Sequence, residues 1–93
     1  MYVIELDDAI GPRINPDYPH VYVGQTWLTP DERFAQHKAG IRASRHVRKH
    51  GKWLRRRLYQ QYNPIATQDK AKAKEAWLAG RLREKGYTVK GGH

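Results

Sequence analysis

Apolar residues crowd two short runs near the start of the chain and are broken up between them. Tyr2-Val3-Ile4-Glu5-Leu6 is rich in β-branched and aromatic residues, as is the stretch from His20 to Thr26, and each predicts a strand. From Asp7 to His20 the chain carries Gly11, Pro12, Pro16 and Pro19, which predict a loop. The two strands therefore pair most simply as an antiparallel hairpin with a long connection. Such pairing puts Tyr2 and Tyr22 on neighbouring strands, and the register decides whether their phenols share a face.

Beyond Thr26 the period changes. Thr29 is a good N-cap, Pro30 suits the first helical position, Glu32 completes a capping box and Gly40 supplies a stop, so a helix of about ten residues is expected over 29–39. Arg33 and His37 lie one turn apart on it, with Ala35 and Ala39 roughly opposite. A shorter helix is expected between Ser44 and Gly51. Trp53 to Tyr59 reads as a third strand bounded by Gly51 and an Asn63-Pro64 turn, and reads equally as an extension of the preceding helix. The clearest element is a helix from Gln68 to Lys85, capped by Thr67 and stopped by Gly86. Projected at about 100° per residue, Ala71, Leu78 and Leu82 form one stripe, with Glu75 in its middle. Tyr87-Thr88-Val89 is a candidate closing strand. The expected fold is α/β: a small, three-stranded, mainly antiparallel sheet flanked by helices, in one domain spanning residues 1–93.

Charge narrows the partners. Eighteen Lys and Arg against nine Asp and Glu give a net charge of +9 over 93 residues, and eight of the basic residues fall between Arg42 and Arg57. That balance favours a polyanion through attraction to phosphates and counterion release. A solvated basic face with no nucleic-acid role is the alternative. Cysteine is absent, which excludes disulfides and thiolate zinc sites. No apolar run approaches the roughly 20 residues needed to span a bilayer, and the start of the chain has no basic leader, so no membrane association and a cytoplasmic location are expected.

Four side-chain sets are candidates for chemistry. A carboxylate in an apolar stripe needs a cation, so Glu75 either pairs with an Arg or Lys or holds a divalent metal through oxygen. Arg33 and His37 are either a solvated pair or a grip on a phosphate, with the guanidinium as charge stabiliser and the imidazole able to accept or relay a proton near neutral pH. Tyr2 and Tyr22 are either packing residues or phenols whose pKa a neighbouring cation lowers. His46 and His50, also one turn apart, lack a third zinc ligand and extend the basic surface instead. The acids form no cluster for a two-metal clamp, which favours one metal.

Tyr2 in the first strand, Tyr22-Val23-Gly24 in the second, the Arg33 and His37 pair, and Glu75 in the last helix together resemble the GIY-YIG nuclease family. Arg48-Lys49-His50-Gly51 is similar to the family's lead into its third strand. The resemblance implies a metal-dependent DNA endonuclease in which Tyr2 is the general base or water activator and Tyr22 with Gly24 forms the second motif. It implies further that Arg33 stabilises the phosphate, that His37 assists a tyrosine hydroxyl and that Glu75 binds the metal, Mg²⁺ or alternatively Mn²⁺. Double-stranded or branched DNA is the expected partner. Arg42, Arg45, Arg48, Lys49, Lys52, Arg55 and Arg57 would hold flanking phosphates, and any sequence selectivity would come from a partner protein. A module on the same fold that binds nucleic acid without cutting it is the alternative.

Overall fold

The computed structural model describes residues 1–26, 28–41 and 43–91. Strands β1 (Tyr2–Leu6) and β2 (His20–Gly24) form the expected antiparallel pair, followed by α1 (Pro30–Ala39), α2 (Arg45–His50), β3 (Gly51–Leu54), α3 (Gln68–Lys85) and β4 (Thr88–Gly91). The sheet order is β3-β1-β2-β4, with β1–β2 and β1–β3 antiparallel and β2–β4 parallel. The sheet thus has four strands where three were expected, because the closing segment after α3 comes back alongside β2.

Helix ends are set by the residues that announce them. Thr29 accepts a hydrogen bond from the Glu32 N–H at the start of α1, and Thr67 accepts from the Lys70 N–H at the start of α3. Gly40 ends α1 with a left-handed φ of 83°, which lets its own N–H and that of Ile41 close back on the last turn. Ser44 precedes α2 but makes no side-chain cap, its hydroxyl being turned elsewhere.

The third strand differs from expectation in extent. β3 occupies only Gly51–Leu54, and Arg56–Leu58 and Gln60–Tyr62 form successive 3₁₀ turns. The Lys38 ammonium donates to the Arg48 and Gly51 carbonyls, tying α1 to the α2–β3 junction. Tyr59, buried at 2% exposure, draws the segment after β3 into the core and breaks the strand period.

Alternation along the strands sorts the core into two faces. The β1–β2 register sets Tyr2 opposite Gly24 and Ile4 opposite Tyr22, so Tyr2, Ile4, Leu6, His20 and Tyr22 share one face and Val3, Val21 and Val23 the other. The three valines are fully buried, and the Leu78, Ala79 and Leu82 stripe of α3, which contacts β2 and β4, covers that side. The other face carries α1, through contacts of His37 with Tyr2 and Tyr22, and α2, through its contacts with β1 and with Val47 buried. No helix among the described residues is long and apolar enough to cross a membrane.

Because Leu82 is 1% exposed in the α3 stripe, Leu82→Ala should lower unfolding free energy by about 3 kcal/mol in urea titrations. A loss below about 1 kcal/mol would show that α3 is not packed as described.

Candidate active site

Tyr2 is the first residue of β1, and Gly24 is its partner on β2. A Cβ at position 24 would lie 2.5 Å from the Tyr2 hydroxyl oxygen. Glycine is therefore what lets the Tyr2 ring lie flat across the end of β2. Tyr22, two residues back on the same face, stacks on Tyr2 with centroids 6.2 Å apart and planes 27° apart. The pairing that the sequence left open thus brings both phenols to one side.

His37 closes the ring cluster from α1. Its imidazole is edge-on to both tyrosines, with centroids 5.9 and 5.8 Å away, and is 1% exposed. Its two nitrogens have different partners. The Ser44 N–H donates to Nδ1 at 3.0 Å, and Nε2 lies 2.8 Å from the Tyr2 hydroxyl. A nitrogen that accepts a hydrogen bond carries no proton, so in the neutral ring the proton is on Nε2 and is donated to the Tyr2 oxygen. Burial and the nearby Arg33 cation push the His37 pKa down to about 4, which keeps the ring neutral. The sequence had offered His37 as a proton acceptor or relay; the geometry makes it a donor to Tyr2.

The phenols are pushed the other way. Burial foremost, then Tyr22, raises the pKa of Tyr2, Glu75 adding a smaller push, while the Arg33 guanidinium opposes the rise by charge and hydrogen bonding. Burial also raises Tyr22, with the Ser44 side chain as the main opposing influence. Ser44 thus serves both rings, fixing the His37 tautomer through its backbone and facing Tyr22 with its hydroxyl.

Arg33, one turn before His37, is braced by the Gln36 side chain at 3.1 Å and the Ile41 carbonyl at 3.3 Å. Glu75 reaches the same place from α3 and is 7% exposed. Tyr2, Tyr22, Gly24, Arg33 and Glu75, with Gln25 and Lys72, line one open cleft of about 530 Å³. The sequence-derived set therefore converges, and the cleft adds Gln25 and Lys72, which sequence reasoning had not singled out. Lys72 lies three residues before Glu75 on α3, a spacing that places both side chains on one side of the helix.

With that geometry in place, the comparison that decides kinship is with known families: the GIY-YIG catalytic domain matches residues 13–88, most of the chain. The chain belongs to the GIY-YIG family. Members are endonucleases that act on DNA and generally use a divalent metal, and the α/β sheet described above is this nuclease-type fold. No curated protein and no solved structure matches the chain. Tyr2 lies ahead of the matched GIY-YIG segment, and its place in the cleft comes from the β1–β2 pairing.

The basic residues proposed to hold DNA do not all behave alike. Arg45, Arg48 and Lys49 project from α2, exposed, and Arg57 is exposed after β3. Arg55 donates to Glu5 at 2.9 Å and lies over the Tyr87 ring, and Lys52 lies 3.3 Å from Glu5 and over the Trp53 ring. Those two are held by the protein's own carboxylate. Arg42 lies outside the described residues.

Two tests follow from the ring cluster. Gly24→Ala should expel the Tyr2 ring and cost about 2 kcal/mol of stability in urea titrations, and an unchanged unfolding midpoint would contradict the close contact. The second concerns pH. The unfolded His37 takes its proton as pH falls past its ordinary 6.5, whereas the folded protein resists until about 4. The stability His37 contributes is therefore complete above pH 6.5 and is lost between 6.5 and 4. Unfolding midpoints measured at pH 7 and pH 4.5 should fall further in wild type than in His37→Gln; equal falls would contradict a depressed pKa.

Proposed function

We propose that the protein is a metal-dependent endonuclease that hydrolyses DNA phosphodiester bonds in the cleft between β1, β2, α1 and α3. One observation carries the reading: two phenols, a guanidinium and a nearly buried carboxylate, drawn from four separate elements, border a single open cleft.

The donors there are hard oxygens, one carboxylate beside two phenols, which suits Mg²⁺ or Mn²⁺ with phosphate oxygens and water completing the shell. Glu75 is the one carboxylate that the described residues bring to the cleft lining, which suits a single ion. Glu75 would hold that ion, which supplies positive charge beside the phosphate.

The chain's own groups then have distinct tasks. Arg33 offers its fork of donors to the phosphoryl oxygens and stabilises the negative charge that grows on them as the attacking oxygen approaches. Tyr2, as its phenolate, takes a proton from the attacking water as the water oxygen bonds to phosphorus and the bond from phosphorus to the leaving sugar oxygen breaks, that oxygen departing beside the positive charge and taking a proton from solvent. A buried phenol resists ionisation, so the Nε2–H of His37 aimed at the Tyr2 oxygen matters most when that oxygen becomes an anion. Tyr22 stacks on Tyr2 and fixes its plane. Arg45, Arg48, Lys49 and Arg57 hold flanking phosphates, contacts that position a strand without reading its bases, so sequence selectivity would come from a partner protein. The alternative reading, a module that holds DNA without cutting, draws support from the upward push on the Tyr2 pKa.

Incubation of supercoiled plasmid with protein and Mg²⁺ separates the two. Nicking is expected, with Arg33→Ala lowering the rate by 10²–10³, Glu75→Ala and Tyr2→Phe abolishing it, and chelation stopping it. Because Tyr2 must be deprotonated to act, the wild-type rate should rise from pH 6.5 to pH 9. Glu75→Ala nicking as fast as wild type would remove the assigned site, and binding without nicking would leave the binding module.

A further inference from the structure

A second groove, of about 600 Å³, adjoins the cleft and shares Gln25 with it. The two differ by one step along each element that forms them. The cleft takes Tyr2 and Gly24 where the groove takes Met1 and Thr26, and it takes Arg33 where the groove takes Pro30. On α3 the cleft takes Lys72 and Glu75 where the groove takes Gln68 and Ala71, about one helical turn away. Their chemistry differs completely. The cleft is lined by charged groups, whereas the groove, among the described residues, has no charged side chain and is walled by Leu28, Pro64, Ile65 and Ala71.

Most polar groups of the groove are already used. Thr29 and Thr67 cap helices, Thr26 accepts from the Leu28 N–H, and the Asn63 amide makes both its bonds to Met1. The side-chain amides of Gln25 and Gln68 have no hydrogen bond to the described residues. A mostly apolar slot whose one charged group, the Met1 ammonium, is spent on Asn63, with two side-chain amides unspent and the charged cleft one helical turn away, suits a flat heterocycle whose edge carries paired donors and acceptors. Glutamine makes paired hydrogen bonds to such an edge.

We infer that this groove takes an unstacked nucleobase, that of the nucleotide next to the phosphate in the cleft. The inference rests on the nuclease reading for the origin of that phosphate and adds a substrate class: DNA with an unpaired or extrudable nucleotide beside the scissile bond. Flipped bases elsewhere are held in the same manner, by apolar contact on their faces and hydrogen bonds on their edges.

The test uses binding, so that it does not depend on cleavage. A duplex with one unpaired 2-aminopurine is titrated with the protein in chelator and compared with the same duplex carrying an abasic residue at that position. The base-bearing duplex should bind on the order of ten-fold more tightly, and its fluorescence should change on binding. Ala71→Trp, which fills the groove without touching the cleft, and Gln68→Ala should each reduce the preference, with folding checked by circular dichroism. Equal affinity of wild type for the two duplexes overturns the inference, whatever the variants do. Base-dependent binding by a protein that never nicks would sustain the pocket while removing the nuclease, and Glu75-dependent nicking with no base preference would do the reverse.

Discussion

The position of one phenol organises the site. Tyr2 can lie across β2 only because residue 24 has no side chain, and it is held there by the Nε2–H of His37. His37 can offer that proton only because the Ser44 N–H occupies its other nitrogen. Three backbone facts, a strand register, a helix phase and a loop amide, thus meet on one oxygen atom. None of the three can shift by a residue without turning a side chain away from the cleft. The depressed pKa of His37 and the raised pKa of Tyr2 express one environment, since burial disfavours the charged form of each.

Charge is distributed around that site in three different ways. Arg55 and Lys52 share Glu5 on β1, so part of the basic segment is bound up in holding β3 and the following turn to the sheet. Arg56 is likewise paired with Asp31 at the start of α1. The α2 cations Arg45, Arg48 and Lys49 remain exposed beside the loop that fixes His37. The groove beyond Gln25, with no charged side chain among the described residues of its lining, breaks the pattern, and that break underlies the proposal of a phosphate in the cleft and a base in the groove.

Much of this was legible in the chain itself. The ends of α1 and α3 are written in caps and glycines, signals that act within a few residues and need no tertiary context. Glu75 announced itself as a carboxylate in an apolar stripe, and the structure puts it at 7% exposure in the cleft. The register that unites Tyr2 with Tyr22 was not legible, because strand pairing is a long-range choice made by the whole sheet. Trp53 to Tyr59 misled for a related reason: Gly51 and the Asn63-Pro64 turn bound a run of strand length, but the chain leaves the sheet after Leu54 to bury Tyr59. Ser44 marked only the start of a short helix in the sequence, and the donation of its backbone N–H to His37 depends on a loop no local signal describes. β4 emerged only as a faint possibility, since four residues are too few to show a period.

The claim on which the rest stands is the direction of the hydrogen bond between His37 and Tyr2. Nitrogen-15 NMR of the imidazole at pH 7 reads it directly, because protonated and bare ring nitrogens resonate far apart. The account predicts a neutral ring with the proton on Nε2 and a bare Nδ1. A proton on Nδ1, or an imidazolium at that pH, would contradict it.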